Sequence, residues 1–293
     1  MDAIQYIEVT PPYFALIKLC TVQASTYSDS GVGCVFVREQ PKGAQATYFD
    51  AAEVGRHLAI LGSVVAARHN PVKKKHYYLA LDARLELLGI LSEQLFLRGE
   101  AYVLKKDYQK KRVTCSVTAY TASKDVYATL EVRYAILSER AFLQVTKPPD
   151  QSLVFGTAWA PQRPNPYQNP RMIRLIRRKS PTEICGIISL HNLESMAGHF
   201  TVRAAAPIAI LGSNALLLIE YLQGGKFYCE TLLVKCKRLA VAGEMLEVCA
   251  KRLRKWNKSH DDITHRVEFL DEKGDIVGVL EYRIRPVGEL SRL

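Results

Sequence analysis

Two groups of residues in this 293-residue chain have types and spacings that could do chemistry. Glu53 and His57 stand four apart, so a helix that begins early enough sets both on one face, where a carboxylate can orient a base or a water. Asp50 and Glu53 equally suit the first turn of such a helix, as a cap and as partners of its dipole. In the second group, Gly198-His199-Phe200 is followed, eight residues after the histidine, by Pro207 and a long apolar stretch. An imidazole titrating near pH 6.5 can take a proton under neutral conditions. A helix N-terminus opened by Pro207 would aim backbone N–H groups at a developing oxyanion. Ser63 and Ser213 are further polar candidates, each preceded by a glycine (Gly62, Gly212), although a serine inside a helix more often returns its hydroxyl to a helical carbonyl.

Other chemistries find little support. There is no Gly-x-Ser-x-Gly elbow, no glycine-rich phosphate loop and no aromatic RNA-binding motif. The seven cysteines are odd in number, scattered and never spaced Cys-x-x-Cys, which favours reduced, mostly buried thiols over disulfides or zinc ligands. No His/Asp/Glu cluster at ligand spacing is evident, so neither metal nor cofactor is expected. The net charge of +11 and isoelectric point near 9.3 imply attraction to acidic partners. That charge falls in four short clusters, around 73–76, 105–112, 174–179 and 252–255, which read as solvated charge or as a docking surface for an acidic carrier. No nucleic-acid role is expected from charge alone. No apolar run approaches the roughly 18 residues of a membrane helix, and no secretory signal is read at the N-terminus, so a cytoplasmic location without membrane contact is expected.

The elements that must position these residues are organised by a repeat. Ala59-Ile60-Leu61-Gly62-Ser63 recurs letter for letter as Ala209-Ile210-Leu211-Gly212-Ser213, an offset of 150. At that offset Tyr77-Tyr78 meets Phe227-Tyr228, and Leu130-Glu131-Val132-Arg133 meets Leu280-Glu281-Tyr282-Arg283. Gly99-Glu100 meets Gly243-Glu244 at 144, so the first copy carries about six extra residues near 86–98. Matches in one order across both halves identify a duplication. A proline-rich stretch, 147–170, separates the copies, giving an N-terminal domain 1–146, a linker 147–170 and a C-terminal domain 171–293. Each half combines alternating β-branched strands with one apolar helix, predicted over 57–67 and 208–222.

The second half resembles the 3-hydroxyacyl-acyl carrier protein dehydratase family of hot-dog folds. The resemblance rests on Asn192, Gly198-His199-Phe200 and Pro207, with Phe227-Tyr228, Lys235-x-Lys237-Arg238 and Val241-x-Gly243-Glu244-x-Leu246 in keeping. It implies an α+β double hot-dog fold, two antiparallel sheets each wrapped around a long central helix. It also implies a site in which His199 acts beside Gly198, Phe200 and Pro207, with an acid supplied by the other half. Thr201-Val202 and Ile208 depart from the family pattern, Ser213 stands where its acid is placed, and the first half offers Phe49 and Ser63 at the two positions. The search for the missing partner therefore falls on 50–63: Asp50, Glu53, His57, Gly62 and Ser63. The expected activity is dehydration of 3-hydroxyacyl chains on acyl carrier protein. The alternatives are hydrolysis of an acyl-carrier or coenzyme A thioester, with Glu53 or His57 activating water, and acyl or carrier binding without catalysis. A fused pair could work as a monomeric pseudo-dimer or pair again as a homodimer.

Overall fold

A computed structural model describes residues 18–22, 31–40, 43, 45–91, 96–146, 172–190, 205–253 and 263–287. The strands are β1 (Lys18–Val22), β2 (Gly31–Phe36), β3 (Tyr77–Leu87), β4 (Leu97–Asp107), β5 (Arg112–Tyr120), β6 (Val126–Leu137), β7 (Arg174–Ser180), β8 (Glu183–Ser189), β9 (Ala205–Ala206), β10 (Phe227–Cys236), β11 (Ala240–Val241), β12 (Met245–Arg252), β13 (Ile263–Leu270) and β14 (Ile276–Pro286). The helices are α1 (Ala51–His69), α2 (Glu139–Val145) and α3 (Ile208–Gln223).

Alternation sets the sheet faces. Along β5, Val113, Cys115, Val117 and Ala119 are buried while their neighbours are not; along β13, His265, Val267 and Phe269 are. Antiparallel pairing then gives the order β1-β2-β4-β5-β6-β3-β10-β14-β13-β12-β8-β7. The second six strands repeat the order of the first six in mirror sequence, outward from a central β3–β10 pair. That pair is antiparallel, with Leu85 opposite Leu232 and Ala83 opposite Val234. The expectation of two sheets is thus corrected: among the described residues β3–β10 pairing fuses both halves into one 12-stranded sheet, with β9–β11 as a separate ladder. Pairing across the joint satisfies the backbone donors and acceptors that each half would otherwise expose at an edge.

Among the described residues there are three helices, of 19, 7 and 16 residues. The first-half helix begins at Ala51, six residues earlier than predicted, because Asp50 caps it by accepting from the Ala52 N–H at 2.8 Å. α1 packs on β2 to β6 of its own half and on α3; α3 packs on β8 and β12. Val54, Leu58, Leu61 and Val65 of α1 are fully buried, each stabilising the fold by about 1.5–3 kcal/mol. Gly62 allows the close helix–sheet approach: a Cβ there would lie 2.7 Å from the Tyr134 hydroxyl. A hairpin turn joins β13 and β14, with Gly274 at φ 81° and its N–H on the Asp271 carbonyl.

One cysteine expectation is overturned. Cys185 and Cys249 face each other across β8 and β12 and form a disulfide. Their separation of 64 residues hid the pairing, which only the strand register reveals. Among the described residues, no helix is long and apolar enough to cross a membrane.

Candidate active site

The early start of α1 puts Glu53 and His57 on successive turns of one helix, one face toward β2 and the turn that follows it. Both are fully enclosed, with 0% and 1% exposure. The Glu53 Oε1 atom accepts from the backbone N–H of Glu39 and, at 3.1 Å, from that of Gln40. It lies 3.9 Å from His57 Nε2. Arg56 extends from the same helix to ion-pair with Glu39, both side chains 4% exposed, and its Nη2 stands 3.1 Å from His57 Nε2. Phe36 stacks on the imidazole at 4.5 Å between centroids.

These contacts fix protonation. A guanidinium only donates, so Nε2 of His57 must accept, and the ring proton sits on Nδ1. Burial, reinforced by Arg56, depresses the His57 pKa well below the usual histidine value, so the ring is neutral. Burial pushes the Glu53 carboxyl up to about 7, against the downward pull of the two backbone donors and Arg56 and with a small upward contribution from Asp50. Among the described residues, neither Glu53 Oε2 nor His57 Nδ1 has a hydrogen-bond partner. The helix face therefore carries one buried acceptor poised between its charged and neutral forms, and one buried donor.

The other half reaches this cluster. Ser213 of α3 donates to Gln40 Oε1 at 3.2 Å, while the Gln40 N–H holds Glu53. Its repeat counterpart Ser63 donates instead to the Ile60 carbonyl at 2.7 Å, within its own helix. The two identical pentapeptides thus use their serines differently. At the 150-residue offset, Glu39, Glu53, Arg56 and His57 fall on Ser189, Arg203, Ala206 and Pro207, so the second copy lacks the set.

The remaining candidates are dispersed. Asp50 is the cap of α1, Gly62 a packing position and Pro207 the buried residue leading into α3. Gly198, His199 and Phe200 lie outside the described residues, as does the 147–170 stretch. Phe49, at the first-half histidine position, is fully buried against Phe36 and Tyr48. Glu39, Gln40 and Arg56 were not singled out from sequence; for Arg56 the available signal was a basic residue between two polar candidates in an otherwise small and apolar stretch. Glu39, Glu53 and His57 gather their ligand-type atoms within 4.8 Å, a cluster that spacing did not suggest. Arg56 already holds Glu39 and His57 there, supplying the positive charge that a cation would bring.

No family model and no curated protein matches this chain. Solved structures do. A hot-dog fold protein of unknown function from Alicyclobacillus acidocaldarius superposes with a TM-score of 0.56 at 12% identity, covering 95% of this chain and 98% of its own. An acyl-CoA thioesterase II from Mycobacterium marinum gives 0.55 at 9%, covering 94% and 96%. An acyl-ACP thioesterase from Bacteroides thetaiotaomicron gives 0.53 at 10%, covering 87% and 98%. Likeness over nearly whole chains at such low identity establishes a shared architecture.

Proposed function

We propose that this chain, a hot-dog protein by fold, hydrolyses acyl thioesters, with Glu53 as general base. The observation that carries the reading is the pair of unpartnered buried atoms on α1, Glu53 Oε2 and His57 Nδ1. An acceptor titrating near neutrality can draw a proton from water, and a neutral imidazole N–H can receive a negative oxygen. Water attacks the thioester carbonyl as Glu53 Oε2 takes its proton. The tetrahedral oxyanion accepts from His57 Nδ1–H. The C–S bond then breaks, the thiolate takes the proton from Glu53, and carboxylic acid and thiol leave. Arg56 holds the imidazole in its tautomer, and the Glu39 and Gln40 N–H groups hold the carboxylate.

Hydrolysis is preferred to dehydration for two reasons. The thioesterase names among the similar structures favour it. The dehydration reading needs an acid from 50–63 to serve His199, and the buried acid there, Glu53, is instead held by the Glu39 and Gln40 N–H groups beside His57. The two-domain division at 147–170 is retained as part of the proposal, with the Glu53 cluster serving as the single site of the fused pair. Incubation with acyl-CoA and acyl-carrier substrates separates the reactions, since hydrolysis yields free thiol and elimination yields the enoyl thioester. The enclosure of Glu53 and His57 favours one other reading, acyl or carrier binding without turnover. Saturable binding with no product from either reaction would establish that instead.

A further inference from the structure

Two of the basic clusters meet in space. The first follows α1 and leads into β3; the second is the end of β4, its turn and the start of β5. The Tyr108 hydroxyl in that turn donates to the His69 carbonyl at the end of α1. The Ile136 N–H bonds the Lys111 carbonyl at 2.8 Å, and β6 pairs the same Ile136 with Tyr78 of β3. Both clusters therefore lie at one end of the sheet, beside the C-terminus of α1.

The chemistry of that end is one-sided. Segments 71–75 and 104–112 hold seven lysines and Arg112 against a single acid, Asp107, a net +7 of the chain's +11. All eight cations are exposed, and Asp107 meets Lys110 only at 3.9 Å. α2, whose Phe142 stacks on Tyr77 at 4.0 Å, begins Glu139-Arg140 and so leaves the balance unchanged. The turn closes on Lys111 at φ 52°, in the left-handed region that glycine enters at least cost, so the tip keeps a charge where the backbone favours a smaller residue. Aliphatic side chains stand among the charges: Val72, 50% exposed, precedes the first lysine run, and Leu104, 44% exposed, precedes the second.

That combination suits one partner best. Nucleic acid is gripped by arginine forks and stacked aromatic rings, whereas lysine is a flexible point charge that adapts to a diffuse anionic surface. Exposed aliphatic residues beside lysines enter the boundary between the headgroups and acyl chains of a bilayer. A carrier protein delivering substrate would dock near Glu53, but Glu53 and His69 stand near opposite ends of α1, about 24 Å apart along its axis.

We propose that this end of the first half docks on an anionic membrane surface, with the lysines over the phospholipid headgroups and Val72 and Leu104 at the acyl boundary. Such docking needs no spanning helix, departs from the expectation of no membrane contact, and does not depend on the hydrolase reading of Glu53. Flotation of the full chain with phosphatidylcholine vesicles, and with vesicles that also hold about 30 mol% phosphatidylserine, tests it. The wild type should bind the anionic vesicles at least about a hundredfold more tightly, with a preference that shrinks as salt is raised. Replacing Lys74, Lys105 and Lys110 together with glutamine should weaken that binding about a hundredfold. The same charge change at Arg174, Lys235 and Lys251, exposed elsewhere on the sheet, should leave it within about threefold. Leu104→Ser should weaken it about severalfold at unchanged charge. An unchanged melting temperature in each variant reports an intact fold. No preference for the anionic vesicles, or equal losses in the two triple variants, would overturn the assignment. So would tighter binding of an acidic carrier protein or of duplex DNA than of anionic vesicles, lost in the same lysine variant.

Discussion

Arg56 Nη2 lies 3.1 Å from Nε2 of its chain neighbour His57, deep inside the protein. Adjacent residues on a helix do not face each other, so the contact requires the guanidinium to fold back on its way to Glu39. It makes an imidazole into a fixed donor and excludes the imidazolium.

The tautomer is measurable. Ring nitrogen shifts of His57 should report a proton on Nδ1 alone, unchanged as pH falls through the range in which an ordinary histidine titrates, in keeping with its depressed pKa. Replacing His57 with alanine should lower kcat about 10²–10³-fold, the usual loss for one oxyanion donor. A ring that protonates near pH 6.5 would contradict the assignment.

Arg56→Met should destabilise the protein by about 3–5 kcal/mol in chemical denaturation, because it strands the Glu39 carboxylate, whose side chain is 4% exposed. The double variant Glu39→Gln with Arg56→Met should recover a large part of that loss. No recovery would mean that the pair is not the source of the effect.

The repeat supplies its own control for the contact between halves. Ser213→Ala removes the donor to Gln40 and should lower kcat several-fold with KM little changed, since Gln40 positions Glu53. Ser63→Ala removes only a bond to the Ile60 carbonyl and should leave kcat unaltered. Equal effects of the two substitutions would remove Ser213 from the site.

Stability should depend on pH through a second buried histidine. His265 is fully buried, and burial, with Arg252 adding to it, lowers its pKa to about 4. The unfolded chain, titrating near 6.5, binds the proton first. The stability His265 contributes is therefore present above about pH 6.5 and is lost as pH falls toward about 4. Glu53 acts in the opposite sense, its contribution present below the ordinary carboxylate range and lost as pH rises through about 7. Unfolding free energies should show His265→Leu gaining on the wild type between pH 6.5 and 4. A constant difference across that window would contradict the burial argument.

The sequence carried the architecture further than the site. Duplication was legible because Ala-Ile-Leu-Gly-Ser and its flanking matches hold one spacing, and the Glu53–His57 spacing already contained the helix face. The fusion into one sheet was not legible, since it depends on Leu85 finding Leu232 across the halves. β2 is not legible from alternation, because Gly31–Phe36 is almost wholly buried. Glu39 and Gln40 lie in the turn after β2, where only tertiary folding returns their N–H groups to Glu53. Ser213 was visible as a position, but its reach to Gln40, unlike the inward bond of Ser63, is set by how α3 meets the first half.

The most direct test of the account is the pH profile of thiol release from an acyl-CoA panel by the wild type and by Glu53→Gln. The wild-type kcat/KM should rise with pH and level off above about 7, where the Glu53 carboxyl is ionised. The Glu53→Gln protein should be folded and slower by at least about a hundredfold, with no such inflection. Thiol release by Glu53→Gln at the wild-type rate, with the same inflection, would contradict it.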